Sequence, residues 1–322
     1  MKKVLLAGAE EAIYPSWSYQ LSCAFEKLGF DVKNYNYRAH QLHRFKLTNK
    51  FLNLGLIKAA KKYKPDLLLV MKGGTLYPGT INKINKLGIK TVNWTLDEPF
   101  GKYLKLNKIT NIEEYDYFFV FDPYYLKELK EINPHSYYLP CAGSPDVQKE
   151  IVPINQRKYI CDVGFLGSHM PNREKLLNHL TNYDLKIWGY RWNNIEGPLK
   201  KHVQHNILTG KEMCKCFNLT KINLNIHFPH SIESVNLRTF EILATNSFQL
   251  CDYFKEIPNL FKMDKEIVCY KDAEELKEKI EYYLDNEEER LKIAKAGQLR
   301  TLNEHTVFHR IKEILRVMKN KI

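Results

Sequence analysis

A segment in the second half of the chain carries charged residues at a spacing suited to a phosphate-containing ligand. It runs from Glu233 to Glu241 and includes Arg238. The pattern predicts a helix that begins near Asn236, directly after a strand and a loop. The first N–H groups of such a helix have no intrahelical partner, and with Arg238 in the first turn they form a natural diphosphate site. Glu241 lies about one turn further on, where a carboxylate suits ribose hydroxyls.

The loop before this helix supplies the other candidate contacts. Glu233 precedes the helix and is expected to reach a sugar beyond the diphosphate, while Ser234, Val235 and Asn236 would offer backbone N–H groups to the donor. The chain has 37 acidic residues, so a pair of glutamates at this spacing also arises by chance. The placement on a strand-loop-helix turn is what gives the pair its weight.

A second turn of small residues follows the strand predicted at 162–166. Gly167 would allow a close backbone approach to a ligand, Ser168 follows it, and Arg173 is placed to neutralise a phosphate. The same pattern is also typical of a structural turn with a solvated arginine. His169 in this turn is a possible general base.

Two acids stand at the end of a strand in the first half of the chain. The strand predicted at 90–96 ends in Asp97 and Glu98, and Pro99 stops its continuation. An acid at a strand's carboxyl end can act as a base toward an acceptor hydroxyl or orient a ligand. A capping role in the following loop is equally compatible with the pattern.

Other kinds of chemistry find little support in the sequence. There is no G-x-G-x-x-G motif after the first strand and no P-loop, which disfavours dehydrogenases, kinases and NTPases. The turn 72–75 is interpreted as a tight turn rather than a ligand contact. Histidine pairs with possible ligand spacing occur without a zinc pattern, so no metal site is predicted; they are His40 and His43, His202 and His205, His227 and His230, and His305 and His309.

These residues require a scaffold of alternating strands and helices. Apolar runs of strand length alternate with helical patterns through both halves of the 322-residue chain, which predicts parallel sheets covered by helices. The stretch 143–157 is interpreted as a linker. We therefore expect an α/β protein with two Rossmann-like domains, at 1–150 and 151–302, and a final helix at 303–322 that packs back on the first domain. Ligands of such pairs bind in the cleft that the strand ends face.

Composition narrows the class of protein. A hydrophobic content of 44% excludes a disordered chain, and no apolar run is long enough to span a bilayer. The seven cysteines form no C-x-x-C pair, which favours free thiols in the cytoplasm. The net charge is +12, and the stretch 32–65 contains no acidic residue. A basic excess suits phosphate-bearing partners, among them nucleic acid, nucleotides, anionic lipid and anionic polymers.

Several motifs together resemble one family, the CgeB-like (spore-maturation-protein-like) glycosyltransferases of the GT-B fold. The resemblance is specific over roughly 160–310 and looser before that. It is carried by Gly164–Ser168 with Arg173, Lys221–Ile226, Asn236–Glu241, Phe248–Tyr253, Glu304–Thr306 and, in the first half, Asn93–Pro99. Asn246 departs from the pattern, because many relatives have glycine there.

The resemblance implies a hexosyltransferase-type enzyme that takes a nucleoside diphosphate sugar, with a UDP-sugar favoured, and needs no metal or other cofactor. It implies that Glu241 holds the ribose and that Arg238 and Arg173 hold the diphosphate. The Glu233 and Glu241 pair is similar to the paired glutamates of retaining enzymes. We therefore expect Asp97, Glu233 and Arg238 to act in catalysis, and the acceptor to contact Tyr14, Trp17, Asp97 and Glu98.

Two other classes of function stay open on the sequence alone. One is a catalytically degenerate GT-B module that binds nucleotide or glycan, and the other is a basic α/β protein that binds nucleic acid. No recognition helix or stacking motif supports the latter. The acid-free stretch lies in the predicted acceptor domain, so it is interpreted either as a solvated basic face or as a contact with an anionic acceptor or a membrane surface. The acceptor is expected to be a glycan, a polymer or a protein.

Overall fold

The computed structural model of the chain describes residues 3–8, 17–37, 46–103 and 108–319. It divides into two compact units that do not follow the chain in simple order. Unit 1 comprises the residues up to Cys141, the segment Pro229–Ser234 and the chain from Val307 onward. Unit 2 comprises Ala142–Phe228 and Val235–Thr306. The division predicted at residue 150 therefore falls inside unit 2, and so does the start of the predicted final helix segment at 303.

Unit 1 is built on a six-stranded parallel sheet with the order β2-β1-β3-β4-β5-β6. Its strands are β1 Lys3–Gly8, β2 Asp31–Asn36, β3 Leu67–Met71, β4 Lys90–Thr95, β5 Tyr117–Val120 and β6 Ser136–Tyr138. Its helices are α1 Trp17–Lys27, α2 Lys46–Tyr63, α3 Thr80–Asn85, α4 Leu126–Ile132 and, from the end of the chain, α11 Val307–Lys319. The central strand β3 is apolar and buried at every position, as expected of a parallel strand covered on both faces.

The last helix completes unit 1. Val307, Ile311, Ile314 and Met318 recur at helical spacing and are buried, and α11 packs on α1. Arg310, on the same helix, is also buried and donates hydrogen bonds to the carbonyl oxygens of Pro140 and Cys141 at 3.0 Å. Residues from the two ends of the described chain thus share one core.

Unit 2 is built on a five-stranded parallel sheet with the order β11-β10-β9-β7-β8. Its strands are β7 Cys161–Leu166, β8 Leu185–Trp188, β9 Thr220–Asn225, β10 Gln249–Asp252 and β11 Val268–Tyr270. Its helices are α5 Pro171–Leu177, α6 Gly210–Asn218, α7 Leu237–Ala244, α8 Ile257–Leu260, α9 Ala273–Asp285 and α10 Glu287–Glu304. Side chains of β7, β9, β10 and α9 form its main apolar core.

The predicted α/β class with two parallel sheets is confirmed. The strand pairs of both sheets are parallel, because after each strand a connection returns the chain to the end of the sheet at which the strands begin. All seven cysteines are free thiols. Among the described helices, none combines the length and apolarity that crossing a bilayer requires.

Candidate functional site

Helix α7 begins where the sequence predicts it, after the strand β9. Asn236 is the N-cap residue, and its side-chain oxygen accepts a hydrogen bond from the N–H of Thr239 at 3.1 Å. The Asn236 amide also donates to the side chain of Asn225, the last residue of β9, at 3.0 Å. This link fixes the start of α7 against the carboxyl end of the sheet of unit 2, where open α/β sheets bind ligands.

Arg238 and Glu241 lie together on α7. The Arg238 guanidinium forms an ion pair with Glu241 at 2.7 Å and contacts the Met213 sulfur at 2.9 Å. It also lies over the ring of Phe217, 5.3 Å from the centroid. Both charged side chains are partly exposed. The residues predicted to bind the diphosphate and the ribose, Arg238 and Glu241, are therefore neighbours, and Glu241 orients the Arg238 guanidinium.

Arg173 is a buried cation held by main-chain carbonyls. Its Nε donates to Ile226 O at 3.0 Å and its Nη1 donates to Ser168 O at 2.8 Å. Its guanidinium lies over the ring of Phe165, 5.4 Å from the centroid. The side chain is 9% exposed, and among the described residues it forms no ion pair.

The surroundings of Arg173 disfavour its positive charge. Burial and the positive charge of Arg238 lower its pKa to about 10, and the negative charge of Asp252 acts in the opposite direction. Two guanidinium groups that repel each other at the carboxyl edge of one sheet are arranged to receive an anion. A bound anion would offset both the burial and the repulsion.

Gly167 and Ser168 shape the turn around Arg173. A side chain at Gly167 would meet the ring of Phe165, and a side chain at Gly189 would collide with the backbone of Gly167. The Gly167 carbonyl also accepts a hydrogen bond from the Trp192 indole at 2.8 Å. The sequence analysis expected Gly167 to let a ligand approach the backbone closely. In the structure the close approach is between the turn at Gly167 and the turn at Gly189. Ser168 contributes its carbonyl to Arg173.

The alternative base, His169, is already engaged. Its Nε2 lies 2.6 Å from a carboxylate oxygen of Glu174, and its ring packs edge-on against Trp192 at 4.9 Å. Trp192 is buried, as is Trp188, so both belong to the core. These contacts give His169 a role in fixing the turn.

Glu233 and Ser234 do not belong to the unit in which the sequence analysis placed them. They lie in the segment Pro229–Ser234, which packs with unit 1. The cause is Asp122, a residue that sequence reasoning missed: its buried carboxylate accepts hydrogen bonds from the N–H groups of Ile232, Glu233 and Ser234 at 2.7, 3.1 and 3.2 Å. Val235, fully buried, is the first residue back in unit 2. A signal was available, since Asp122 follows a buried strand and precedes Pro123.

In unit 1, Asp97 and Glu98 have different partners. Asp97 forms an ion pair with Lys72 at 2.7 Å, and the two residues follow the adjacent strands β4 and β3. Glu98 is buried, and its carboxylate accepts hydrogen bonds from the N–H groups of Phe100 and Lys102 at 2.6 and 2.7 Å. Asp97 is the better placed of the two for a ligand, whereas Glu98 organises its own loop.

The other predicted acceptor contacts are aromatic. Trp17 opens α1, is half-buried, and packs edge-on against Trp94 of β4 with ring centroids 5.8 Å apart. Tyr14 lies outside the described residues.

One group of potential metal ligands occurs in the described part of the chain. His227, Cys251 and Asp252 place their ligand atoms within 4.8 Å of one another. Asp252 already accepts hydrogen bonds from both the backbone N–H and the ring Nδ1 of His227. Burial raises the pKa of the Cys251 thiol well above its usual range, which opposes formation of the thiolate that binds metals. His230, the predicted companion of His227, belongs to unit 1.

Comparisons with known proteins find similarity to glycosyltransferases. A family model described as "Glycosyl transferase-like" matches residues 173–316. The chain is 24% identical over 259 residues to the spore protein CgeB of Bacillus subtilis, covering 74% of this chain and 78% of that protein.

Solved structures show the same fold. Sucrose-phosphate synthase from Thermosynechococcus elongatus superposes with a TM-score of 0.69 at 10% identity, covering 100% of both chains. A glycosyltransferase from Rickettsia africae gives 0.67 at 13% identity, covering 99% of this chain and 98% of that one. The Anabaena protein HepE in complex with UDP-glucose gives 0.65 at 10% identity, covering 99% and 100%. The predicted resemblance is therefore confirmed: the chain is similar to the CgeB-like glycosyltransferases, and the solved structures show that it has the GT-B fold.

Proposed function

We propose that this chain transfers a hexosyl group from a nucleoside diphosphate sugar to a hydroxyl group of a glycan, a polymer or a protein. A UDP-sugar is the favoured donor, because the structurally similar HepE has been solved with UDP and with UDP-glucose. In the reaction the bond between the sugar C1 and the diphosphate oxygen breaks, the acceptor oxygen bonds to C1, and the hydroxyl proton passes to a base.

The observation that carries the proposal is the buried guanidinium of Arg173, which forms no ion pair within the described part of the chain, although Asp252 offsets part of its charge from a distance. An uncompensated cation in a desolvated place is costly unless a ligand supplies the opposite charge. Arg238 and the first N–H groups of α7 provide further positive character at the same edge of the sheet. A diphosphate fits this combination, since its charge grows as the sugar leaves and the donors are already oriented.

Glu241 has two tasks in this proposal. One of its carboxylate oxygens holds the Arg238 guanidinium toward the diphosphate. The other oxygen is proposed to accept a hydrogen bond from a ribose hydroxyl. The ion pair thus sets the distance between the nucleoside and diphosphate contacts.

Glu233 and Asp97 are the proposed catalytic carboxylates. Glu233 is assigned to the donor sugar, with retention of configuration at C1. Asp97 is assigned to the acceptor hydroxyl, whose proton its carboxylate would accept, and the Lys72 ammonium holds that carboxylate in place.

No metal is assigned a step in this reaction. The guanidinium groups supply positive charge to the departing diphosphate, a task that Mg²⁺ performs in other transferases. We expect transfer to proceed unchanged in EDTA, and restoration of lost activity by added Mg²⁺ would contradict this part of the proposal.

The experiment is a panel of nucleoside diphosphate sugars in which the released nucleoside diphosphate is measured. The Arg238→Ala variant is expected to lose about 100-fold in turnover, because one donor to the developing charge is removed. Arg316→Ala is the matched control, since Arg316 also forms an ion pair three residues away on a helix, with Glu313. Equal turnover in the two variants would refute the diphosphate role, and NMR of the anomeric proton in the product tests retention.

The same panel separates the alternatives. A degenerate binding module would bind UDP without releasing it from any UDP-sugar. A nucleic-acid-binding protein would bind DNA or RNA with an affinity that falls steeply with salt.

An exposed face of α2 favours a peripheral contact with anionic lipid, which we include in the proposal. Phe51 is 65% exposed and Leu54 is 43% exposed, one turn apart on the helix. The same helix exposes four lysines, Lys50, Lys58, Lys61 and Lys62. Apolar tips among lysines are typical of surfaces that dock on anionic membranes. Arg38 and Arg44 of the acid-free stretch lie outside the described residues.

Sedimentation with vesicles tests this contact. Wild-type protein is expected to bind vesicles that contain phosphatidylglycerol and not vesicles of phosphatidylcholine alone. Phe51→Ser and Lys58→Glu should each weaken binding, whereas Lys127→Glu, on α4 of the same unit, should not. Binding that is indifferent to the anionic lipid would exclude the membrane contact.

A further inference from the structure

We propose that Asp122 is a positioning residue for sugar transfer, which acts by fixing the backbone from which the Glu233 side chain projects. The inference rests on the proposed function and adds a residue that lies 111 positions earlier in the chain. Asp122 does not contact the substrate in this proposal.

The carboxylate of Asp122 is fully used by backbone N–H groups. Besides the three groups of residues 232–234, it accepts a hydrogen bond from the N–H of Tyr124 at 3.0 Å. Its exposed fraction is 0%. Three successive N–H groups that converge on one carboxylate leave the backbone of residues 232–234 very little rotational freedom.

Neighbouring residues of unit 1 hold the rest of the segment. The Tyr125 hydroxyl donates to His230 O at 2.6 Å, and the ring of Phe121 packs edge-on against the His230 ring at 5.6 Å. At the other end, the Tyr138 hydroxyl lies 3.1 Å from Ser234 Oγ. The segment is thus anchored on both sides of Glu233.

A carboxylate is the group that this position requires. An ionised carboxylate only accepts hydrogen bonds, whereas the amide of an asparagine would turn an N–H₂ group toward at least one of the backbone N–H groups. Burial raises the pKa of Asp122, and the N–H groups of residues 232–234 act in the opposite direction. The N–H groups of the segment therefore favour the ionised form of Asp122, and the ionised carboxylate in turn holds the segment.

The consequence is a separation of tasks between residues. Arg173 and Arg238 hold the proposed donor, while Asp122 sets the carboxylate of Glu233. Loosening the segment should misplace Glu233 and lower kcat while leaving UDP affinity intact. Misplacement of a reacting group by about 1 Å costs up to about 100-fold in rate.

The test compares Asp122→Asn with a matched variant, Glu114→Gln. Glu114 is also a buried carboxylate of unit 1, and it accepts hydrogen bonds from three backbone N–H groups at the start of α3, those of Gly79, Ile81 and Asn82. The two variants lose the same kind of interaction, and Asp122 is the one of the two that is bonded to the segment carrying Glu233. Turnover of a UDP-sugar and the Kd of UDP are measured for both, with Glu233→Gln and the double variant Asp122→Asn/Glu233→Gln.

Asp122→Asn is expected to lower kcat by about 10- to 100-fold with an unchanged Kd for UDP, and Glu114→Gln is expected to keep the wild-type kcat. The double variant should be no slower than Glu233→Gln alone, because the two residues act through one carboxylate. Equal kcat in Asp122→Asn and Glu114→Gln, or fully additive losses in the double variant, would overturn the proposal.

Two further measurements keep the outcomes distinct. If Asp122→Asn does not fold, Tyr125→Phe removes one hydrogen bond to the same segment and should lower kcat in the same direction, and a wild-type kcat would then count against the proposal. Wild-type protein that neither binds UDP nor turns over any UDP-sugar would refute the proposed function itself. Normal UDP binding with an unaffected Asp122→Asn variant refutes only the positioning role.

Discussion

Asp122 in unit 1 and Arg173 in unit 2 are both buried charged side chains near a proposed site, and their charges are solvated very differently. Asp122 of unit 1 accepts hydrogen bonds from four backbone N–H groups. Arg173 of unit 2 donates to two carbonyls, and its remaining N–H groups have no acceptor among the described residues. Burial moves both pKa values toward the neutral form, upward for Asp122 and downward for Arg173.

The difference indicates what each charge is for. A buried charge whose hydrogen-bonding capacity is filled by the protein stabilises the fold and the local backbone. A buried charge with unused donors gives the folded protein little stability and is available to a ligand. Four measurements test this difference between Asp122 and Arg173.

The largest effect is expected for Asp122→Ala. The substitution leaves several buried N–H groups without an acceptor, so the free energy of unfolding should fall by about 3 kcal/mol in urea titrations. Glu113→Ala, at an exposed position of the same unit, should change it by less than about 0.5 kcal/mol. A small loss of unfolding free energy in Asp122→Ala would show that other contacts satisfy the N–H groups of residues 232–234.

Arg173→Met is expected to weaken UDP binding by about 2 kcal/mol, roughly 30-fold, in calorimetric titrations. The removed group contributes charge-assisted hydrogen bonds to the diphosphate. Arg290→Met is the control in unit 2, because Arg290 is equally buried and lies over Tyr159 but is paired with Glu287 at 3.0 Å. Retained affinity in Arg173→Met would place the diphosphate elsewhere.

The same Arg173→Met variant should change the unfolding free energy of the ligand-free protein by no more than about 1 kcal/mol. The desolvation of an unpaired guanidinium disappears with the charge and offsets the two lost hydrogen bonds. Stability of the ligand-free protein, compared with that of the Asp122→Ala variant, measures the difference between the two buried charges directly. A loss as large as that of Asp122→Ala would contradict the comparison.

The smallest effect is expected for Glu241→Gln. The Arg238 ion pair is partly exposed and is therefore worth about 0.2–1 kcal/mol, so UDP affinity should fall by less than about 5-fold. Glu274→Gln, at another ion pair of the same i,i+3 spacing, should leave affinity unchanged. A much larger loss would assign Glu241 a direct contact that dominates binding.

The sequence predicted most of the fold because its signals are local. Apolar runs of strand length and a helix that begins near Asn236 are set by nearest neighbours along the chain, and the structure contains both. The i,i+3 pairing of Arg238 with Glu241 was implicit in their spacing.

The site was less predictable because its decisive features depend on contacts between distant residues. Whether Arg173 is solvated or buried depends on the carbonyl of Ile226, 53 residues away. The unit to which Glu233 belongs depends on Asp122. The place of Asp122 after a buried strand marks it as a candidate, but no local pattern reports its bond to a residue 111 positions away.

The position of α11 has a consequence for how the chain acquires its structure. Unit 1 begins with the first strand, but its core also takes Val307, Ile311 and Ile314 from the last described helix. During synthesis the first 141 residues therefore leave the ribosome without the helix that covers α1, while unit 2 is translated and can close around its own sheet. We expect the N-terminal half to mature only after α11 has been synthesised, when Arg310 can reach the carbonyls of Pro140 and Cys141.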